Sequence, residues 1–98
     1  VWALLGGKER ASFPVYGSFS RDIGKGRYMT PDEAARRAAE MLGEGFKAIK
    51  VRMAIREENA DPADDPTLPT ARAVRTAIGD AVPLYIDANN GYRAARAI

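Results

Sequence analysis

The chain has 98 residues, no cysteine, no histidine and a formal charge of +2, from fifteen Lys and Arg against thirteen Asp and Glu. Its 46% apolar content is that of a globular protein, which argues against wholesale disorder. One domain is the most this length supports, and a complete (β/α)8 barrel of roughly 250 residues does not fit within it.

Without cysteine there is no disulfide, thiol nucleophile or Cys-ligated zinc. Without histidine, a Ser-His-Asp triad and any His-based metal site are excluded as well. A metal would have to be bound through oxygen, which favours Mg²⁺, Mn²⁺ or Ca²⁺. The pI of 9.2 reflects only a small, dispersed excess of positive charge, so nucleic-acid binding is not expected. No apolar run approaches the roughly eighteen residues of a membrane span. The N-terminus has no secretory pattern, so a cytoplasmic location is expected.

In chain order, residues 1–12 read as a short apolar segment stopped by Gly6-Gly7. Phe13 to Ser18 suits a strand, with aromatic and β-branched residues and Pro14 at its entry. A Gly- and charge-rich loop follows, and its Gly24-Lys25-Gly26 lacks the spacing of a phosphate-binding loop. Thr30-Pro31-Asp32-Glu33 is a helix start: Thr30 caps, Pro31 suits the first position and Glu33 completes a capping box. Ala34, Ala38, Met41 and Leu42 then fall on one face, with Glu33, Arg36, Arg37, Glu40 and Glu44 opposite. Gly43 and Gly45 end this helix.

Phe46 to Arg52 reads as a second strand, followed by a long polar loop punctuated by Pro62 and Pro66. Asp61, Asp64 and Asp65 in that loop lack EF-hand spacing and read as solvated. A second helix runs from about Leu68 to Ile78, with Leu68, Ala71, Val74 and Ile78 as its buried face. Pro83 to Ala88 is a third strand, and after Asn89-Asn90-Gly91-Tyr92 a third helix begins. Trp2 and Tyr92 read as packing residues. The order β-α-β-α-β-α predicts parallel strands with right-handed crossovers. The first two strand-to-helix loops are long and the helix-to-strand links short, which places a site at the strands' C-terminal ends.

Strand alternation puts Ala48, Lys50 and Arg52 on one face of the second strand, and Tyr85, Asp87 and Asn89 on one face of the third. The aliphatic faces should meet the helices, so the charged faces point to a barrel interior or crevice. There they need partners: one another, a metal or an anionic ligand. A plain Lys/Arg–Asp salt-bridge network satisfies the same pattern.

These residues carry a resemblance. Gly45-Phe46-Lys47-Ala48-Ile49-Lys50-Val51-Arg52 resembles the G-F-x-A-x-K-x-K strand of the enolase superfamily, mandelate racemase and muconate-lactonizing branch. Ala73-Val74-Arg75 with Ala77-Ile78-Gly79 resembles the following helix, and Asp87-Ala88-Asn89 the D-x-N strand end. Leu4-Leu5-Gly6-Gly7 and Val15-Tyr16-Gly17-Ser18 resemble the barrel entry.

The resemblance implies an α/β fold: a partial TIM-type barrel of about three βα units, with residues 1–98 a fragment of a (β/α)7β domain. The N-terminal capping domain and later strands would lie outside it. It implies proton abstraction α to a carboxylate with Mg²⁺ as cofactor, in a racemase or, preferably, a sugar-acid dehydratase. The substrate is expected to be a small carboxylic acid, the parent protein a homo-oligomer and the isolated fragment inactive. Asp87 matches a metal ligand, Asn89 a substrate contact, and Ser18 and Lys50 positions that bind the substrate carboxylate or condition the base. Arg52 departs from the pattern, since a base Lys usually stands there and guanidinium gives up its proton poorly. Arg52 is then an unusual base, or Lys50 takes that role, or Arg52 holds the acid's carboxylate; participation of both in acid/base chemistry is favoured. The other reading is a stand-alone βαβαβ module binding an anion without metal.

Overall fold

The structure is a computed structural model that describes residues 2–7 and 12–98. The remainder of the expected N-terminal segment, and the packing expected of Trp2, lie outside what is described. After a 3-10 turn at Trp2–Leu5 come β1 (Gly17–Ser20), α1 (Pro31–Gly43), β2 (Ile49–Arg52), α2 (Thr67–Ile78), β3 (Leu84–Asp87) and α3 (Ala94–Ala97). A second 3-10 turn, Glu57–Asn59, interrupts the long loop after β2.

The strands form one parallel sheet in the order β1-β2-β3. Ser18, Lys50 and Tyr85 lie level across it, and Ser20, Arg52 and Asp87 form the next row on the same face. On the opposite face Ile49 and Val51 are buried under the helices. They pack with Ala34, Ala38 and Met41 of α1 and Val74 and Ile78 of α2. Small alanines on α1 let α1 and α2 approach closely.

The local signals at α1 hold in detail. Thr30 Oγ1 accepts from Glu33 N at 3.2 Å and Glu33 Oε2 accepts from Thr30 N at 2.9 Å, closing the capping box. These bonds, with the ion pair from Arg27, hold the Glu33 carboxyl below its usual range.

Two expectations need correction. Phe13 to Tyr16 lies outside the strand and is exposed; pairing begins only at Gly17, which is level with Ile49. Composition favoured the aromatic run, but β2 offers its ladder further along. In α2 the buried face is Thr70, Val74 and Ile78, spaced by four, and Leu68 is exposed. Leu68 and Thr70 are two residues apart, about 200° around the helix, so the face that covers Thr70 turns Leu68 outward.

Candidate active site at the strand ends

Lys50 and Asp87 come together on the sheet face turned away from the helices. Lys50 is level with Tyr85, yet its Nζ lies 2.8 Å from Asp87 Oδ2, across one diagonal of the ladder. The Asp87 hydrogen bond holds the Lys50 ammonium above its ordinary pKa. That same bond, with Asn89 N donating to Oδ1 at 3.0 Å, holds the Asp87 carboxyl below its own. Lys50 is therefore a firmly protonated cation in this arrangement.

Arg52 is level with Asp87 and exposed. Among the described residues it makes no salt bridge. It lines a cleft of about 550 Å³ with Ser20, Asp22, Arg56, Asn89 and Asn90. Ser18 shares the face but sits one row lower, beside Lys50. Asn89 leaves the strand alternation: its φ is +56°, and its Oδ1 accepts from Ala54 N at 3.2 Å. That bond ties the end of β3 to the exit of β2. The asparagine's amide oxygen is thus engaged by backbone, and only its NH₂ remains to offer to an acceptor.

Sequence reasoning passed over Ser20 and Arg56. Ser20 completes the row of Arg52 and Asp87, and was missed because the first strand was expected to end at Ser18. The signal that would have found it is the same alternation, carried on by two residues. Arg56 was absorbed into a polar loop; it lies 3.4 Å from Asp22 and lines the cleft.

The acidic loop also differs from expectation. Asp65 accepts hydrogen bonds from Thr67 N at 2.9 Å and from Tyr92 OH at 2.8 Å. Arg96 lies 3.5 Å from it, and Asp61 accepts from Arg93 N at 3.1 Å. Asp61 and Asp65 are therefore staples between the β2–α2 loop and the segment after β3. Tyr92 packs as expected, and burial raises its phenol pKa. On the other side, the Arg21 guanidinium lies over the Tyr28 ring at 5.4 Å and Nε donates to Met29 O at 3.0 Å. Its burial lowers its pKa.

Parallel strands, a charged face and a cleft built at the strand ends from their loops agree with the family model that this chain matches. Residues 33–98, two thirds of the chain, match the model described as enolase C-terminal domain-like. The chain belongs to the enolase C-terminal domain-like family. Similar to it is the D-galactarolactone cycloisomerase of Agrobacterium fabrum, 38% identical over 97% of this chain and 23% of that protein. A mandelate racemase/muconate lactonizing protein of Paracoccus denitrificans, also solved in complex with magnesium, superposes with a TM-score of 0.80 at 30% identity. That match covers 96% of this chain and 25% of the uncomplexed chain. A mandelate racemase-like protein of Bordetella bronchiseptica, complexed with 2-oxoglutarate/phosphate, gives 0.65 at 27% identity over 98% of this chain and 23% of that one. The chain spans about a quarter of the length of the relatives it matches.

Against this family, the charged row can be tested as a place for a hard cation. Asp87 offers a carboxylate, the right donor for Mg²⁺, with Oδ2 engaged only by an exchangeable ammonium. Among the described residues no group of three or more acidic side chains converges. The residues of this chain fit one ligand of such an ion. Among the described residues no helix is long and apolar enough to cross a membrane.

Proposed function

We propose that residues 1–98 form the first three βα units of a barrel whose complete protein is a Mg²⁺-dependent lyase or isomerase. Its reaction is removal of the proton α to a carboxylate, on a sugar acid. The observation that supports this most is the Lys50–Asp87 contact beside Arg52, which makes no salt bridge among the described residues, at the C-terminal ends of parallel strands. Membership of the family and the acid-sugar activity named for the Agrobacterium relative point the same way.

In this reading Asp87 holds the metal, with its other ligands coming from outside these residues. Bound there, Mg²⁺ supplies Lewis-acid stabilisation of the negative charge that develops on the substrate carboxylate. Arg52 holds that carboxylate in bidentate fashion, the task its planar, permanently charged fork suits. Lys50 moves the proton. Any group that draws Asp87 Oδ2 away removes the contact that raises the Lys50 pKa, and the amine moves towards the range proton transfer needs. The Asn89 NH₂ and the Ser18 hydroxyl contact the substrate's oxygens.

The test is solvent exchange. The whole protein carrying this chain is incubated with galactarate in D₂O and followed by proton NMR. Loss of the α-proton signal with Mg²⁺, abolished by EDTA, is the expected result. Carboxylate binding that is indifferent to Mg²⁺, with no exchange, would leave a metal-independent anion module instead.

A further inference from the structure

The cleft beside Asp87 has two arginines, and only one has a role above. Beyond Arg52 the chain leaves the regular strand. Met53 and Ile55 are buried in the core, and Ile55 also reaches the cleft that Arg52, Ala54 and Arg56 line. Ala54, between the two arginines in sequence, takes a φ of +59° and carries only a methyl group. Four residues of chain span at most about 14 Å, so the two arginines that line this one cleft are within reach of the two ends of a short, extended molecule.

Their electrostatic situations differ. Among the described residues Arg52 makes no salt bridge. Arg56 has only a long contact, 3.4 Å to Asp22 Oδ2, with most of its side chain exposed. The other oxygen of Asp22 is already used, accepting from Gly24 N at 2.8 Å. A pair of that length and exposure contributes little and exchanges readily. A ligand carboxylate meeting Arg56 as a bidentate fork would replace it with a better contact.

We propose that Arg56 is a second carboxylate-binding residue of this cleft, selecting diacids: one carboxylate on Arg52, the other on Arg56 in place of Asp22. This rests on the reading of the cleft as a carboxylic-acid site and names the substrate class within it. Asp22 is then a built-in stand-in for the distal carboxylate.

The experiment compares galactarate with galactonate, which differ only in whether the sixth carbon is a carboxylate. Dissociation constants are measured by calorimetry on the whole protein, for the natural sequence, Arg56→Gln and Asp22→Asn. Galactarate should bind at least about 10-fold more tightly than galactonate. Arg56→Gln should erase that preference while leaving galactonate affinity in place. Asp22→Asn, which removes the internal competitor, should keep or enlarge it. A merely structural Arg56–Asp22 pair would make both variants lose affinity for both acids alike, and that result overturns the proposal. So does equal binding of the two acids, or a preference that survives Arg56→Gln. Deuterium exchange separates this from the broader reading. Exchange without any diacid preference sinks the role of Arg56 alone. An Arg56-dependent preference without exchange sinks the proposed reaction and leaves the diacid site standing. Absence of binding by either acid overturns both.

Discussion

Lys50 reaches Asp87 across a diagonal of the β2–β3 ladder, 2.8 Å from Nζ to Oδ2, while Arg52, directly level with Asp87, makes no salt bridge among the described residues. The nearer cation by register is therefore the one left for a ligand. The roles proposed above for Lys50 and Arg52 rest on this division and are tested by substitution. Lys50→Met should lower kcat for α-proton exchange by about 10²–10⁴-fold, the usual contribution of a positioned proton-transfer group, with little change in KM. Arg52→Lys should mainly raise KM, because an ammonium keeps the charge but loses the fork. Steady-state kinetics of the exchange reaction read both. A faster chemical step in Arg52→Lys would reverse the assignment and make position 52 the base.

The network around Asp65 predicts a pH dependence of stability. Burial alone would raise the Asp65 carboxyl, but hydrogen bonds from Thr67 and Tyr92 and the charge of Arg96 outweigh it and leave the pKa lowered. A lowered carboxyl pKa means that the unfolded state binds the proton more readily. Its stabilisation is therefore present above the ordinary Asp value of about 3.9 and is lost as pH falls through the lower folded value. Asp65→Asn should be less stable than the natural sequence near neutral pH, with the gap closing in acid below about pH 4. Urea unfolding at a series of pH values measures this. A gap that stays constant into acid would mean that Asp65 acts through shape and not through its charge.

What the sequence revealed follows the range of each interaction. Thr30, Pro31 and Glu33 announce α1 because a capping box is closed within four residues, and it forms as read. The alternation in Ile49–Arg52 and Leu84–Asp87 also holds, because period two is a property of the strand itself. Where β1 begins was not legible from Phe13 to Ser18, since pairing with Ile49 decides it and that partner is some thirty residues away. The Tyr92–Asp65 bond spans 27 residues for the same reason. At the site, Lys50, Arg52 and Asp87 were legible as a set. Which cation pairs with Asp87 was not, because a diagonal contact depends on register and side-chain reach together.

Thr70 poses a separate question of energetics. It is fully buried, and its Oγ1 has no hydrogen-bond partner among the described residues. A buried hydroxyl without a partner keeps its desolvation cost, while valine has the same branched shape and no polar atom. Helix propensity hardly separates the two. Thr70→Val should therefore stabilise the fold by about 1 kcal/mol. For a barrel of roughly 250 residues that is a rise of about 2–4 °C in Tm, read by thermal unfolding of the whole protein. A lower Tm would show that the hydroxyl is bonded in solution.

Two glycines give opposite expectations from the same substitution. Gly91 is buried where the chain turns after β3, donating to Ala88 O at 3.0 Å and accepting from Asp61 N at 2.9 Å. A Cβ there would stand 2.2 Å from Ile55 Cγ2, 2.4 Å from Ile55 Cβ and 2.7 Å from Ala88 O. Trimming Ile55 to alanine would remove only the first of these contacts, so the backbone itself must move. That movement pulls on the Asp61 bond that staples the β2–α2 loop. Gly91→Ala should cost more than about 2 kcal/mol, and Ile55→Ala in the same molecule should not restore it. Gly43, the last residue of α1, has nothing within 4 Å of the added Cβ and no positive φ. Gly43→Ala should then stabilise by about 0.4–1 kcal/mol through the unfolded chain's lost freedom. Urea midpoints for the two variants should move in opposite directions. A tolerated Gly91→Ala would mean that the β3 turn relaxes away from Ile55, and that the close approach is not what holds the cleft's floor.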